Sequence, residues 1–511
     1  MNVGRTWSVV LTGLVGDMVE VEADLSNQVP GFSIIGLADK AVGEAQQRVH
    51  NACANSDLPL PRRHVTVNLS PASLPKHGSG LDVAMAIAAV ATEQPLDPDS
   101  LAETVHLGEL GLDGRLRPIP GILPAVVAAA RAGFRRVIVP HASADEASLV
   151  DGIEVHGAIS LRDVARSHGL DVPEVVLEPV RAPAAGAGTA AESLEMADVI
   201  GQRDAVEAML IAAAGGHHVL MSGPPGAGKT MLARRLPGIL PDLDDAAALQ
   251  VASIRSLSGL PVDTLDRVPP FEAPHHTASA TALIGGGSRV VRPGAIARAS
   301  GGVLFLDEAG EFGRHTLDAL RQPLECGNVA IDRAGFRATF PTRFQLVLAT
   351  NPCPCGNAGV RGAECVCPSI AVRRYRSKIS GPLLDRIDIE LAMQRVSTVT
   401  AGEGERMTSA SARDRVREAR ERAHRRLAGT AWHTNAQVDG EWLRSGPLRA
   451  EPVITRALDA ALHRGSISIR GYNRILRVAW TLADLAGRDR LAMADIGRAL
   501  YLKQGAAHGL G

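Results

Sequence analysis

The chain has 511 residues and is 45% hydrophobic but only 3% aromatic, a length that exceeds one ordinary hydrophobic core and indicates two to four domains. Its 54 basic and 55 acidic residues leave a net charge of −1, so a nucleic acid or an anionic membrane could be bound only through a local patch. Composition therefore excludes a single-domain protein and names no partner.

The amino terminus carries no recognisable export signal. Met1–Glu22 mixes charged residues with short apolar pieces and lacks both a basic segment and a cleavage site of small residues. The longest apolar run is Val83–Ala91, whereas a membrane-spanning helix needs about 20 apolar residues. We therefore expect a cytoplasmic protein that has no membrane-spanning segment.

Residues 1–178 are predicted to form a first domain of α/β or α+β type. The strand-like run Val65–Leu69 is followed by the helix-like runs Leu81–Ala91 and Gly121–Ala132. Residues 179–192 come next, and their small, Pro and Gly residues cannot bury much surface. This composition indicates a solvated linker.

Residues 193–400 alternate strand-like and helix-like patterns again. Short apolar runs such as Val219–Ser222 and Val303–Asp307, each followed by a helical or Gly-rich segment, predict a mostly parallel sheet. Residues 401–511 carry helical patterns, beginning with Arg413–Arg426, which holds seven Arg against three acidic residues. The sequence thus predicts an α/β core followed by an α-helical domain.

The strongest motif is GPPGAGKT, which matches G-x-x-x-x-G-K-[ST] between an apolar run and a helix start. The backbone N–H groups of such a turn cradle the β-phosphate of a nucleotide at a helix N-terminus. Its lysine would neutralise phosphate oxygens, and its final threonine would ligate Mg²⁺. The predicted nucleotide-binding residues are Gly223, Pro224, Pro225, Gly226, Ala227, Gly228, Lys229 and Thr230.

Further along the chain, GGVLFLDE supplies an apolar strand that ends in two acidic residues, Asp307 and Glu308. Asp307 at the strand tip is expected to hold the Mg²⁺ shell together with Thr230. Glu308 is expected to orient or deprotonate the attacking water. Together with the Gly-rich loop, these residues predict ATP hydrolysis with Mg²⁺ as cofactor.

The order of GPPGAGKT, LFLDE and LVLATN resembles that of AAA+ ATPases. Three further stretches, APHHTAS at 273–279, TNPCPCG at 350–356 and SGPLLDRIDI at 380–389, resemble the magnesium-chelatase-like proteins of the YifB/ComM family. The match covers nearly the whole chain. It implies a P-loop AAA+ core over 193–400 and an α-helical lid over 401–511, assembled as a hexameric ring.

The same resemblance assigns residues around the nucleotide. Ile200, Gly201 and Gln202 match the segment that lines the adenine pocket. Asn351 matches the sensor-1 residue beside the γ-phosphate. These four residues are therefore expected to border the Gly-rich loop.

Three arginines are also assigned by the resemblance. Arg386 matches the arginine finger that reaches the nucleotide of the adjacent subunit, and Arg470 matches the sensor-2 arginine of the lid. Arg474 competes with Arg470 for that second role. An arginine that reaches the γ-phosphate only at an interface would tie hydrolysis to assembly.

Residues 272–276 include one departure from the family pattern. Glu272 stands where the family more often has a basic residue, which argues against a phosphate contact by this side chain. His275 and His276 are candidate pore-loop residues, and a polar turn with buried imidazoles is the alternative.

Residues 60–140 resemble the Lon-protease-like version of the ribosomal S5 domain-2 fold, through LPKHGSGLDVAMAIA and GELGLDGRLRPIPGILPAVVAAARAGFRRVIVP. Lon-type enzymes use a Ser/Lys dyad. The alignment places Gly80 at the serine and Leu123 at the lysine, and the neighbouring Ser79 has no basic partner in the second stretch. We expect a catalytically dead α+β domain that serves as a scaffold or as a DNA- or partner-binding collar.

Four of the six cysteines form two C-x-C pairs separated by nine residues, which could surround one tetrahedral Zn²⁺. A redox pair, labile disulfides and unligated thiols are the alternatives. The candidate zinc ligands are Cys353, Cys355, Cys365 and Cys367. Nearby arginines that could contact DNA phosphates are Arg361, Arg373, Arg374 and Arg376.

The resemblance implies an ATP-driven ring motor on DNA, a helicase or branch-migration factor in recombination or natural transformation. Arg413–Arg426 and a predicted hairpin within Arg333–Arg343 could contact DNA, and a solvated face is the alternative for each. Few aromatic side chains favour backbone tracking over base reading, so we expect no sequence specificity. A recombinase or competence partner could load the ring.

A chelatase-type ATPase that remodels a partner enzyme during metal insertion is the alternative function. The amino-terminal domain, which resembles ComM-type architecture, argues against it. The sequence leaves open the geometry of the DNA substrate and the polarity of movement.

Overall fold

The computed structural model describes residues 3–37, 39–76, 78–180, 194–287, 291–333, 336–360, 363–396 and 406–508. Most of the predicted linker and Arg361 lie outside the described residues.

The first part of the chain folds around a mixed sheet flanked by helices. Its strands are β1 Gly4–Thr12, β2 Val15–Ser26, β3 Gly31–Ile35, β4 His64–Ser70, β5 Thr104–His106, β6 Glu109–Leu110, β7 Leu116–Arg117, β8 Arg136–Pro140 and β9 Glu154–Ala158. Its helices are α1 Asp39–Asn55, α2 Asp82–Val90, α3 Pro98–Ala102, α4 Ile122–Arg131, α5 Ala144–Ala147 and α6 Leu161–Ser167.

The main sheet of this part has the strand order β3-β4-β2-β1-β5-β8-β9. β1 and β2 form an antiparallel hairpin, whereas β5, β8 and β9 run parallel to β1. Alternate residues of β4 are buried, as expected for a strand with one face on a core. All nine residues of α2 are buried, so this helix is the centre of the amino-terminal core.

The second part contains the Gly-rich motif. Its strands are β10 Val219–Ser222, β11 Phe271–Glu272, β12 Gly285–Gly286, β13 Arg292–Pro293, β14 Val303–Leu306, β15 Asn328–Arg333, β16 Phe336–Pro341, β17 Gln345–Thr350 and β18 Ile389–Ala392. Its helices are α7 Arg203–Gly215, α8 Lys229–Arg235, α9 Asp245–Leu257, α10 Ala280–Ile284, α11 Ala295–Arg298, α12 Arg314–Asp318, α13 Arg321–Cys326, α14 Ser369–Arg376 and α15 Gly381–Leu384.

A five-stranded parallel sheet, in the order β11-β14-β17-β10-β18, organises this second part. β14 and β17 are buried at every position because helices cover both faces, which explains their continuous apolar sequences. The carboxyl ends of β10, β14 and β17 meet at one edge, where ligands bind in open α/β sheets. The Gly-rich loop follows β10 at that edge.

The last part is helical, with α16 Ser409–Arg426, α17 Gly440–Ser445, α18 Pro452–His463, α19 Ile469–Leu485 and α20 Met493–His508. α16 and α19 pack on α7, and α20 packs on β18. Leu476 and Trp480 of α19 therefore share one buried apolar cluster with Met209 of α7 and Leu391 of β18. Among the described residues, every helix is too short or too polar to cross a bilayer.

The first and second parts meet at α4 and α9. Leu123 is fully buried and packs with Ala252 and Val262. The Gly121 N–H donates to the carbonyl of Ser256 at 3.1 Å, at the start of α4. This interface combines apolar packing with backbone hydrogen bonding, so it fixes the two parts against each other.

Candidate functional site

The Gly-rich loop turns sharply between β10 and α8. Gly226 and Gly228 have φ values of +78° and +87°, which lie in the left-handed region that favours glycine. A Cβ atom added to Gly226 would meet no heavy atom within 4 Å, so the inside of the loop is open on that side. The turn at a helix N-terminus presents the backbone N–H groups and helix dipole that suit a phosphate.

Lys229 lies at the centre of this site. Its Nζ donates to the carbonyls of Gly223 at 2.5 Å and Pro224 at 3.0 Å, and to Asn351 Oδ1 at 3.1 Å. Burial lowers the pKa of Lys229, and the nearby carboxylate of Asp307 acts in the opposite direction. The lysine thus contacts the loop and the predicted sensor-1 residue at once. Its ammonium group could exchange these hydrogen bonds for hydrogen bonds to phosphate oxygens.

Thr230 and Asp307 bring two metal-ligating oxygens together. Thr230 Oγ1 donates to Asp307 Oδ2 at 2.7 Å, and the N–H of Glu308 donates to Asp307 Oδ1 at 2.9 Å. A hydroxyl and a carboxylate held side by side next to a phosphate cradle fit the ligand chemistry of Mg²⁺. The residues present are therefore compatible with bound Mg²⁺ and nucleotide.

Glu308 makes a contact that the sequence did not indicate. Its Oε2 lies 3.2 Å from Nδ1 of His276, and its φ of +51° is rare for a residue other than glycine. The rings of His275 and His276 contact each other at a tilt of 33°, with centroids 4.1 Å apart, and His275 hydrogen-bonds Thr277. The predicted pore-loop histidines thus include one that touches the candidate catalytic glutamate.

The predicted adenine-pocket segment borders the same loop. Gln202 Nε2 donates to the carbonyl of Ala227 at 3.2 Å and to that of Gln394 at 2.7 Å. Ile200 is half-buried and Gly201 is exposed beside it. The structure therefore brings these residues, the loop, the two acids and Asn351 to one edge of the sheet.

The predicted arginines lie at the opposite edge. The Asp388 N–H, just before β18, donates to the carbonyl of His218, just before β10, at 3.0 Å. Arg474 Nη1 donates to Asp388 Oδ1 at 2.7 Å and to the carbonyl of Arg386 at 2.9 Å. Four strand residues, about 13 Å, separate this cluster from the Gly-rich loop.

The three arginines differ in their surroundings. Arg386 is buried and paired with Glu325, Arg474 is nearly buried, and Arg470 is 69% exposed at 3.5 Å from Asp385. Although burial acts against it, Arg474 and His217 hold the pKa of Asp388 well below its usual range. The cluster lines a cavity of about 800 Å³ between the sheet and the helical part.

The position of the two candidate sensor-2 arginines bears on which nucleotide they could reach. We expected Arg470 or Arg474 to act at the nucleotide, yet both lie on the sheet edge away from Lys229. An arginine in this position could reach a nucleotide only if another chain presented it. Sequence similarity located the candidates but could not show which sheet edge they occupy.

The four cysteines converge. Cys353 Sγ lies 3.3 Å from Cys355 Sγ and 3.7 Å from Cys365 Sγ, and Cys355 and Cys365 are 3.7 Å apart. All four sulfur atoms, including that of Cys367, lie within 4.8 Å of one another. A backbone hydrogen bond from Asn357 lowers the pKa of Cys355 to about 6. Although backbone hydrogen bonds within the loop act against it, burial and the neighbouring cysteines raise the pKa of Cys365 and of Cys367, so the thiolate form is favoured at Cys355 alone of these three.

The arginine-rich helix α16 is largely occupied by contacts within the chain. Arg413 donates to the carbonyl of Gly238. Arg420 donates to the carbonyl of Ala213, and Arg426 pairs with Asp484. These arginines pack α16 against its neighbours, so the predicted DNA contact along this helix can use only the remaining ones.

The other predicted basic surfaces are more open. β15 and β16 form an antiparallel hairpin, and Arg337 on it is exposed beside Asp332. Phe340 buries the other face of the hairpin in the core. Arg373 and Arg374 on α14, next to the cysteine cluster, are exposed.

The Lon-like dyad is missing in the fold as well as in the sequence. Ser79 Oγ donates to Glu109, and Lys76 Nζ is buried against backbone carbonyls. Leu123, at the aligned lysine position, packs in the interface with α9. The arrangement provides no Ser/Lys pair within the described residues near this site.

Three family models match consecutive parts of the chain. They are subunit ChlI of Mg-chelatase at residues 21–143, magnesium chelatase, subunit ChlI at residues 195–401, and magnesium chelatase, subunit ChlI C-terminal at residues 406–503.

Individual relatives cover almost the full length. An uncharacterized protein of Mycobacterium tuberculosis is 45% identical over 512 residues, 99% of both chains. Competence protein ComM of Haemophilus influenzae is 39% identical over 506 residues, 98% of this chain and 97% of that one. Uncharacterized protein YifB of Escherichia coli is 38% identical over 488 residues, 93% and 92% of the two chains.

A partial similarity links the chain to proteases. Lon protease of Mycolicibacterium smegmatis is 26% identical over 174 residues, 32% of this chain and 22% of that protein. With the full-length matches and the phosphate-binding edge of the parallel sheet, these comparisons identify an α/β ATPase. The chain belongs to the YifB/ComM family of magnesium-chelatase-like AAA+ ATPases.

Proposed function

We propose that the protein is an ATP-driven hexameric ring motor that acts on DNA, as a helicase or branch-migration factor in recombination or natural transformation. The observation that carries the proposal is the separation of Lys229 and Arg386 on opposite edges of one sheet. Copies arranged head to tail would bring the arginine of one chain to the nucleotide of the next, and a closed head-to-tail arrangement is a ring.

In the nucleotide site, each residue of the chain has a defined task. Lys229 binds β- and γ-phosphate oxygens, and Thr230 and Asp307 hold Mg²⁺. Glu308 orients the water, and Asn351 fixes the lysine. Bound Mg²⁺ and ATP supply the reactive phosphoanhydride and a cation that balances its developing charge.

The DNA part of the proposal is supported by the relative named competence protein ComM. It is also supported by the exposed arginines Arg337, Arg373 and Arg374, which could contact phosphates without reading bases. We assign the helical part over 406–508 as the lid of the motor. The amino-terminal part is assigned as a catalytically dead S5-like collar, and the four cysteines as ligands of one Zn²⁺.

The test is steady-state ATP hydrolysis measured without DNA and with single strands, duplex or a mobile four-way junction. Strong stimulation by DNA that is lost in Lys229→Ala and in Arg386→Ala is the expected result. Hydrolysis that ignores every DNA would overturn the DNA part and leave the ATPase part standing. Absence of hydrolysis in the folded wild-type chain would overturn both.

A chelatase-type motor that remodels a partner enzyme is the second candidate. The amino-terminal match to a model named after subunit ChlI, at residues 21–143, favours this candidate. The amino-terminal domain therefore no longer argues against a chelatase-type function. A motor of this class would hydrolyse ATP faster with a protein partner and would be indifferent to DNA. The same assay therefore distinguishes the two candidates.

A further inference from the structure

The cysteine cluster follows directly from the nucleotide site. Asn351, which accepts the hydrogen bond from Lys229, lies two residues before Cys353. The segment between them, at Pro352, accepts a hydrogen bond from Arg376 Nε at 3.3 Å, at the end of α14. The cysteine loop is thus connected to β17 at one end and is held by α14 on the other side.

The sulfur positions match one tetrahedral ion. Four sulfur atoms about 2.3 Å from a tetrahedral Zn²⁺ lie about 3.8 Å apart, close to two separations of 3.7 Å seen here, and the third, between Cys353 and Cys355, is shorter at 3.3 Å. The Ala358 N–H also donates to Cys353 Sγ at 3.3 Å, the kind of second contact that steadies a metal ligand. This geometry favours a metal site over a chance grouping of thiols.

The same loop packs against the phosphate-binding turn. Gly356, with φ of +80°, approaches Pro225 so closely that an added Cβ atom would lie 2.6 Å from Pro225 Cδ. Pro225 belongs to GPPGAGKT, and its carbonyl accepts a hydrogen bond from Arg395 Nε at 3.0 Å on the other side. The turn is therefore clamped between the cysteine loop and the segment that follows β18.

We infer that one Zn²⁺ closes the cysteine loop into a brace for the nucleotide site, so that zinc occupancy controls the order of the Gly-rich turn and its affinity for nucleotide. The metal holds the cysteine loop in place, and Gly356 in that loop packs against Pro225. Asn351, just before the loop, keeps its hydrogen bond to Lys229. The inference rests on the proposed function only in that GPPGAGKT binds nucleotide. Zinc content and backbone exchange test it without any hydrolysis.

The first experiment compares the full-length chain with Cys365→Ala, using Cys326→Ala as the matched control because that cysteine is exposed and outside the cluster. Zinc is measured by mass spectrometry of the metal, and backbone order by hydrogen–deuterium exchange over 219–228. We expect about one Zn²⁺ per chain in wild type and control. Cys365→Ala should lose it, exchange faster over 219–228 and bind nucleotide about fivefold more weakly.

The second experiment separates the brace from the metal. Gly356→Ala should retain its zinc, because no ligand changes, yet should exchange faster over 219–228 since the new methyl group displaces Pro225. Gly429→Ala is the matched control, because its φ of +81° is equally unfavourable for alanine but its Cβ would meet no atom within 4 Å. It should leave exchange over 219–228 unchanged.

Several results would overturn the inference. A folded wild-type chain without zinc, or with a Cys353–Cys355 disulfide in its place, would contradict the metal site. Zinc loss with unchanged exchange over 219–228 would contradict the brace, as would wild-type exchange in Gly356→Ala. If Cys365→Ala fails to fold, removal of zinc from the wild-type chain by a chelator, with restoration on adding Zn²⁺, gives the same comparison. Failure of DNA stimulation would leave all of these readouts intact.

Discussion

His276 Nδ1 lies 3.2 Å from Glu308 Oε2, and this contact ties the APHHTAS segment to the residue proposed to orient the attacking water. Because Glu308 is the proposed water-orienting residue, we expect a movement of His276 to change the position of its carboxylate. A polymer passing along APHHTAS could therefore release Glu308 and trigger hydrolysis.

Replacing His276 by Ala is expected to raise ATP hydrolysis without DNA about two- to fivefold and to reduce stimulation by DNA. Both side chains are partly exposed, so the pair contributes about 0.5–1 kcal/mol, which corresponds to that change in rate. His275→Ala is the control, since His275 contacts Thr277. A lower basal rate in His276→Ala would mean that the histidine holds Glu308 in its active position.

Mixing two inactive variants is expected to restore hydrolysis. Lys229→Ala retains the arginine, and Arg386→Ala retains the Gly-rich loop, so interfaces between them are complete if the arginine acts on the neighbouring chain. At equal amounts about a quarter of interfaces would be complete, which predicts about a quarter of the wild-type rate. No recovery after labelled chains have been shown to exchange would place the arginine on its own nucleotide.

Replacing the two candidate sensor-2 arginines by alanine is expected to affect different properties, stability for Arg474 and ATP hydrolysis for Arg470. Arg474→Ala should lower the free energy of unfolding by about 3 kcal/mol, because it leaves the buried Asp388 without its cation. Arg470→Ala should leave stability within about 1 kcal/mol of wild type, since its side chain is exposed, and should reduce hydrolysis in the assembled ring. Denaturant unfolding and ATP hydrolysis measured on both variants check this. A stable, fully active Arg470→Ala would exclude it from the reaction.

Acid is expected to destabilise the amino-terminal domain through two histidines. Burial lowers the pKa of His106 to about 3 and that of His168 to about 4, and their Nε2 atoms lie 2.9 Å apart. Between those values and about 6.5 the unfolded chain binds more protons, so stability falls as pH falls through this window. Each histidine is expected to lower the free energy of unfolding at pH 5.5 by roughly 1 kcal/mol.

Urea-dependent proteolysis at pH 7.5 and 5.5, followed by mass spectrometry of fragments from residues 78–180, measures this loss. His106→Leu should show about half of the wild-type shift in the urea midpoint, because one titrating group remains. An equal shift in His106→Leu and wild type would assign the pH dependence to other groups.

The nucleotide edge was predictable because its residues lie in short continuous motifs. GPPGAGKT and LFLDE each carry both the strand and the turn that follows it, and parallel strands place their carboxyl ends together. Lys229, Thr230 and Asp307 could thus be placed near one another before any contact was known. Gly80 and Leu123, which the Lon-like resemblance aligns with the serine and the lysine, likewise predicted a dead dyad from the sequence.

Contacts between distant segments were not predictable. The charge run of α16 indicates a solvated or DNA-binding face, yet Arg420 and Arg426 are paired with Ala213 and Asp484, which no local pattern links to it. The contact between His276 and Glu308 likewise joins segments that only the order of β11 and β14 brings together. Sequence shows which groups a chain carries, whereas their partners depend on sheet order.

Leu123 has a consequence for how this domain could have changed in evolution. A lysine at this position would place a cation in the apolar contact with Ala252 and Val262, and the cost of burying that charge would weaken the contact with α9. Introducing a Ser/Lys dyad would therefore weaken this interface as well as needing two substitutions. The position aligned with the protease lysine is therefore also part of the contact that attaches the amino-terminal part to the ATPase part.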